Sequence, residues 1–217
     1  MPRRRAALGA IRPSARGRAS YSDFLDFWDR SLPVSELRIF DETHPEAPIG
    51  NYTDHADIAR ELALMGVRFE QWEASRPLAA DADQDAVLSA YREDVERLNR
   101  AYGFQSVDVV SLRPDHPQKD ELRARFLNEH THDDFEVRFF VDGQGMFYLH
   151  AAGRVYAMLC TQGNLISVPA GVTHWFDMGE NPSFKCIRFF TTPEGWVGHF
   201  TGSGIDQAFP TLDAMSA

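Results

Sequence analysis

Apolar and polar positions follow two periods along this chain, and the change from one to the other divides it. Leu37 and Ile39 alternate with charged neighbours in SELRIFDE, which predicts a first strand. Ile58, Leu62 and Met65 then recur at helical spacing, which predicts a helix capped by Thr53 or Asp54 and stopped at Gly66. VRFEQWEA is a second predicted strand, and Val87, Tyr91, Val95, Leu98 and Tyr102 line one side of a longer predicted helix that Gly103 ends. VDVVSL predicts a third strand and PQKDELRARF a short helical turn. From Asn128 onward the two-residue period dominates. EVRFFVDGQG running into MFYLHA predicts a hairpin that turns at Asp142-Gly143. RVYAMLC, NLISVP, THWFDM and FKCIRFF follow at roughly ten-residue spacing. Such a series of short strands predicts a mainly β molecule, a barrel or sandwich with a few peripheral N-terminal helices.

Charge separates the beginning of the chain from the rest. Residues 1–20 hold six arginines and no acid, and they show no apolar period. Up to Pro33, seven arginines against Asp23, Asp26 and Asp29 leave +4, so residues 34–217 carry −14 of the net −10. Two units are therefore expected: a basic extension over 1–33 and a single domain over 34–217. A flexible arm, a targeting segment and an upstream start codon each account for the first unit. The acidic balance of the second argues against a nucleic-acid groove or an anionic membrane surface as partner. No apolar run approaches the length of a membrane span. Cys160 and Cys186 sit in apolar strand-like runs without metal-binding spacing, which suits reduced, buried thiols in the cytoplasm.

The chemistry is concentrated in NEHTHDDFEVRFFVDGQG, residues 128–145. His130, His132, Glu136 and Arg138 are an even number of residues apart, so an unbroken strand would place all four on one face, with Val137, Phe139 and Val141 on the other. Two imidazoles and a carboxylate on one face can grip a divalent ion of the non-haem iron type and leave positions open. A fourth donor, His174, comes in GNLISVPAGVTHWFDMG, after Gly163, Pro169 and Gly171. On the same parity Phe176 shares the face of His174, and Arg188 lies in step with Cys186 and Phe190. Arg138 and Arg188 would bring two fixed positive charges to one cavity, an arrangement suited to an anion or oxyanion, with a strand-edge salt bridge as the alternative for each. Phe126 and Trp196 are candidate apolar walls.

These two motifs resemble those of the cupin superfamily, small β-barrels that hold a metal inside the barrel. Ala124 stands where cupins often have glycine and Met178 where they often have asparagine; neither is a ligand position. With IRFFTTPEGWVGHFTG, GVRFEQWEA and YGFQSVDVVSLRPDHPQK added, the resemblance becomes specific to the acireductone dioxygenase family of bacterial methionine salvage, from Val34 to Pro210. It implies a cupin-type barrel in which His130, His132, Glu136 and His174 bind one Fe2+ or Ni2+ per chain. It also implies that Arg138 and Arg188 act on the substrate, while Phe126, Phe176 and Trp196 line its pocket. The implied partners are a small electron-rich ene-diol and O2, acting on a monomer in the cytoplasm. Iron is associated in this family with release of formate and a keto acid, and nickel with release of carbon monoxide. Two alternatives remain at this stage: another metal-dependent cupin enzyme, which would keep the four ligands but need other pocket residues, and a non-catalytic cupin ligand sensor.

Overall fold

The computed structural model describes residues 34–193 and 195–216; residues 1–33, on which the expected basic extension falls, lie outside the described residues. The chain opens with Glu36–Asp41 (β1), which pairs antiparallel with Gly50–Tyr52 (β2). Helix α1, His55–Ala63, starts at Asp54, whose carboxylate accepts the amides of Ala56 and Asp57 and so satisfies two orphan donors. Arg68–Gln71 (β3) follows. Gln84–Ala90 (α2) and Arg92–Tyr102 (α3) come next, then Ser106–Leu112 (β4) and Lys119–Leu127 (α4). The remaining strands are His130–Thr131 (β5), Glu136–Ala151 (β6), Arg154–Thr161 (β7), Asn164–Val168 (β8), Thr173–Asp177 (β9), Phe184–Phe190 (β10) and His199–Phe200 (β11). A short helix, Leu212–Met215 (α5), ends the described chain.

The strands form two layers that share β6. One runs β11-β5-β9-β6-β7-β1-β2, and in the other β6 pairs with β8 and β10, which in turn pair with β3 and β4. Between the layers lies a core of Leu37, Ile39, Phe69, Phe140, Phe147, Met158, Cys160, Ile166, Phe176 and Cys186, into which α1 inserts Ile58 and Leu62. Outside the second layer, Val137, Phe139, Val141, Ile187 and Phe189 pack on Val87, Tyr91 and Leu98 from α2 and α3. Outside the first, Met146, Tyr148, Val155 and Trp175 are covered by Phe209 and Leu212. Tyr148 and Trp175 stack with ring centroids 4.9 Å apart. Both faces of β6, β7, β9 and β10 are thus largely buried, so these strands are apolar on both sides.

The expected mainly β barrel with peripheral helices is what the chain forms, but four local expectations are corrected. The three-residue β2 precedes the predicted second strand, which is therefore the third and spans only Arg68–Gln71. The predicted long helix is two, because Tyr91 leaves helical geometry (φ −105, ψ 23) while its ring packs edge-on against Phe139 at 5.4 Å. The helical turn after Pro117 is a full nine-residue helix.

The largest correction concerns Asp142-Gly143, where no hairpin forms and β6 runs unbroken for 16 residues. The register against β10 shifts between Lys185 and Cys186, which face Asp142 and Phe140 respectively and leave Val141 as the extra residue of a bulge. Gly143 (φ 70) follows, in a conformation open to glycine, and a Cβ there would lie 1.8 Å from the Ser183 carbonyl oxygen. Beyond the bulge β6 leaves β10 and β8 and pairs with β7 and β9. The glycine marks where the strand turns the barrel corner.

Candidate metal centre

The four candidate donors reach one point from three strands and a loop. His130 is on β5, Glu136 opens β6 and His174 is on β9, directly opposite His130 in the ladder. The continuous strand expected from His130 to Arg138 is interrupted: residues 132–135 form a loop fastened by Asp134, which accepts the backbone N–H and hydroxyl of Thr191 at 2.6 and 2.5 Å. His132 is turned inward from this loop. One ligand atom from each of the four residues lies within 4.8 Å of the others, and all four side chains are buried. Ring centroids of the three histidines stand 4.6–5.0 Å apart.

Each imidazole is oriented by its outer nitrogen. Nδ1 of His130 donates to the carbonyl of Asn128 at 2.7 Å, Nδ1 of His174 to that of Val172 at 2.8 Å, and Nδ1 of His132 to that of Val197. Those bonds leave the three Nε2 atoms to face inward as lone-pair donors, the tautomer a metal ligand requires. Burial, with the neighbouring His174, pulls His130 down to about 4, so it is neutral near pH 7. Burial opposes charge on Glu136 as well, yet the Arg138 guanidinium and the His132 and His174 contacts hold its carboxyl well below the usual range. Burial disfavours a charged His132, but the Glu136 carboxylate 2.7 Å from its Nε2 outweighs this and raises it. Glu136 Oε2 also lies 3.1 Å from Nε2 of His174. With all three Nδ1 atoms engaged, the inward Nε2 atoms of His132 and His174 share the Glu136 carboxylate, and a cation among them would be met by three imidazole nitrogens and one carboxylate oxygen. The donor set of three nitrogens and one oxygen suits a first-row divalent ion.

Arg138 adjoins this cluster, its side chain 2% exposed. Its Nε lies 2.6 Å from Glu136 Oε1, but off the line a hydrogen bond needs; the charges meet while Nε and Nη1 have no hydrogen-bond partner among the described residues. Its guanidinium carbon sits over the rings of Phe176, Phe147 and Phe126 at 4.4, 5.0 and 5.8 Å. Phe126 and Phe176 meet edge-on at 6.3 Å, and Trp196 meets Phe126 at 6.1 Å. Phe126 thus joins Phe176 and Trp196 into one aromatic group. A pocket of about 220 Å³ opens beside His132 and Glu136 and is bounded by Phe135, Phe190, Trp196 and Val197; of the three expected wall residues Trp196 lines it, and Phe126 and Phe176 do not.

Arg188 lies directly across the ladder from Arg138 and so on the same face of the sheet. Its Nε and Nη2 are occupied by both oxygens of Asp108 on β4, at 2.8 and 2.6 Å. Sequence reasoning missed Asp108, 80 residues away, and also Phe147. The bulge before Gly143 reverses the parity of β6, so inward positions are even before it and odd after it; a hairpin reading hides that signal.

The ARD/ARD' family model matches residues 36–198. The chain is 62% identical over 156 residues to an acireductone dioxygenase of Methylococcus capsulatus, covering 72% of this chain and 84% of that one. It is 56% identical to one of Pseudomonas aeruginosa, covering 83% of this chain and 99% of that one. A solved acireductone dioxygenase from Bacillus anthracis, with a cadmium ion in its active centre, superposes with a TM-score of 0.68 at 28% identity, over 77% of this chain and 98% of that one. On the extent of the family model and on these identities, the chain belongs to the ARD/ARD' family, the acireductone dioxygenases.

Proposed function

We infer that this chain is a metal-dependent dioxygenase of methionine salvage. It uses O2 to cleave acireductone, 1,2-dihydroxy-3-keto-5-methylthiopentene, to formate and 2-keto-4-methylthiobutyrate. The observation that carries the reading is the buried Arg138, whose Nε and Nη1 lack acceptors beside a four-donor cluster. The Glu136 carboxylate meets this guanidinium on one side only, and an anionic ligand would take the N–H groups left without a hydrogen-bond acceptor.

His130, His132, Glu136 and His174 would hold the ion, which when bound supplies Lewis-acid stabilisation of the ene-diol oxygens. Arg138 favours loss of the substrate's protons by placing a fixed positive charge where the oxyanion develops. Arg188, already bound to Asp108, adds charge from one ladder position away. Phe126, Phe176 and Trp196 enclose the methylthio chain and keep water from the electron-rich carbon skeleton. Residues 34–217 form the catalytic unit, acting as a cytoplasmic monomer; the two unbridged cysteines support a reducing compartment.

The same proposal assigns the product to the metal. Imidazole and carboxylate donors accept both Fe2+ and Ni2+. After chelation and reloading, the Fe2+ protein should yield formate and the keto acid. The Ni2+ protein should yield formate, carbon monoxide and a shorter methylthio acid. Elemental analysis with headspace CO and acid quantification decides the matter, and identical products from both forms would assign regiochemistry to the pocket instead. His132→Ala should remain folded with metal content near zero; full occupancy there would remove His132 from the site.

A further inference from the structure

Residues 195–204 pass across one side of the donor cluster. The Trp196 ring lies 5.5 Å from that of His130 and 5.2 Å from that of His132, and the Val197 carbonyl receives Nδ1 of His132. Val197 and Phe200 of this strap are each 51% exposed, and its main apolar contact is that of Trp196 with the Phe126 ring at 6.1 Å. Its only ladder contacts among the described residues are the two pairs of β11 with β5. Gly195, Gly202 and Gly204 all take positive φ, a conformation that glycine adopts without strain.

What grips the strap is Glu129, a carboxylate only 3% exposed and not one of the four donors. Its Oε2 accepts the hydroxyls of both Thr201 and Ser203, and its backbone carbonyl accepts the Thr201 N–H at 3.0 Å. Its Oε1 accepts Nδ1 of His150, on the far half of β6, at 2.7 Å. Nε2 of His150 in turn donates to Glu42 at 2.9 Å. An imidazole with a carboxylate at each nitrogen donates from both, so the whole clasp is satisfied. Glu129 directly precedes β5, and its carboxylate turns to Thr201 and Ser203 while His130 turns to the cluster.

We propose that Glu129 is a positioning residue that fastens the 195–204 strap to β5 and β6, and so holds Trp196 and the Val197 carbonyl against the metal ligands. Its kinetic consequence rests on the dioxygenase reading; its structural consequence does not. Thr201 and Ser203 form the strap's half of the clasp and touch neither the cluster nor the pocket walls, so they can be altered while Glu129 stays.

The test uses metal-loaded full-length protein, its Glu129→Gln variant and the double variant Thr201→Val/Ser203→Ala. Hydrogen exchange of the strap peptide, bound metal and steady-state kinetics on acireductone are compared. Strap amides should exchange at least about tenfold faster in both variants, with metal content unchanged. KM should rise several-fold while kcat moves less, and Thr201→Ser should behave as the parent. Unchanged strap exchange in both variants would overturn the proposal, as would loss of metal with strap protection intact, which would make Glu129 a support for His130 alone. Faster exchange with unchanged KM would overturn the kinetic half. If the parent proves inactive on acireductone, the exchange comparison still decides whether Glu129 holds the strap.

Discussion

At the scale of single residues, Arg138 states most sharply what the pocket is for. A buried guanidinium normally has its five donors taken; this one has aromatic rings on its faces, the Glu136 carboxylate beside its Nε, and an Nη1 with no hydrogen-bond partner among the described residues. Lysine keeps the charge but loses the planar fork. Arg138→Lys should therefore retain fold and metal while kcat/KM falls by roughly ten- to over a hundred-fold, the equivalent of one charge-assisted hydrogen bond of about 1.5–3 kcal/mol. Turnover at the parent rate would end its assignment. Arg188→Lys tests a different balance, since the fork is committed to Asp108. Its loss should cost activity less than that of Arg138, and the two variants measured together show which arginine the oxyanion meets.

Among the elements, β6 determines most of the geometry, and Gly143 is its weakest point for substitution. Alanine there would combine a left-handed backbone with a Cβ driven into the Ser183 carbonyl, which cannot swing aside as a flexible side chain would. Gly143→Ala should destabilise by about 2 kcal/mol or more, a fall of roughly 4–8 °C in the unfolding midpoint for a domain of this size. A midpoint within a degree of the parent would mean that the strand tolerates a different corner. This element also shows what the sequence could and could not disclose. Residue type and motif spacing brought out His130, His132, Glu136 and His174, although the unbroken strand expected to align the first three is interrupted at 132–135. The bulge was visible as Asp142-Gly143 but is locally indistinguishable from a hairpin; only the pairing partners, β10 before it and β9 after it, separate the two. Strand β2 has no apolar alternation to betray it, and the bend at Tyr91 follows from the fit of two helices to the sheet. Asp108 and Glu129 are ordinary acidic residues until the fold sets Arg188 and His150 beside them.

For the molecule as a whole, the family match begins at residue 36, just after the charge balance along the chain changes sign. A chain beginning at Val34 should melt within about 2 °C of the full-length protein and show the same kcat/KM. A large loss of stability would show instead that Phe24, Phe27 or Trp28 docks on the rest. The acidic charge of residues 34–217 also fits a catalyst that meets a small anion through one fixed guanidinium rather than through a basic surface.

Strand β6 belongs to both layers, and this bears on how the barrel comes apart. Its first half pairs in one layer and its second half in the other, so a single continuous backbone joins the two sheets across the bulge. The donor cluster, with Glu136 where β6 begins and His130 and His174 on β5 and β9, ties the two layers together a second time. An ion gripped by Glu136 and the three histidines stabilises more than its immediate surroundings: its binding energy is spread over two sheets at once, so that saturating the site makes the complete fold harder to unravel.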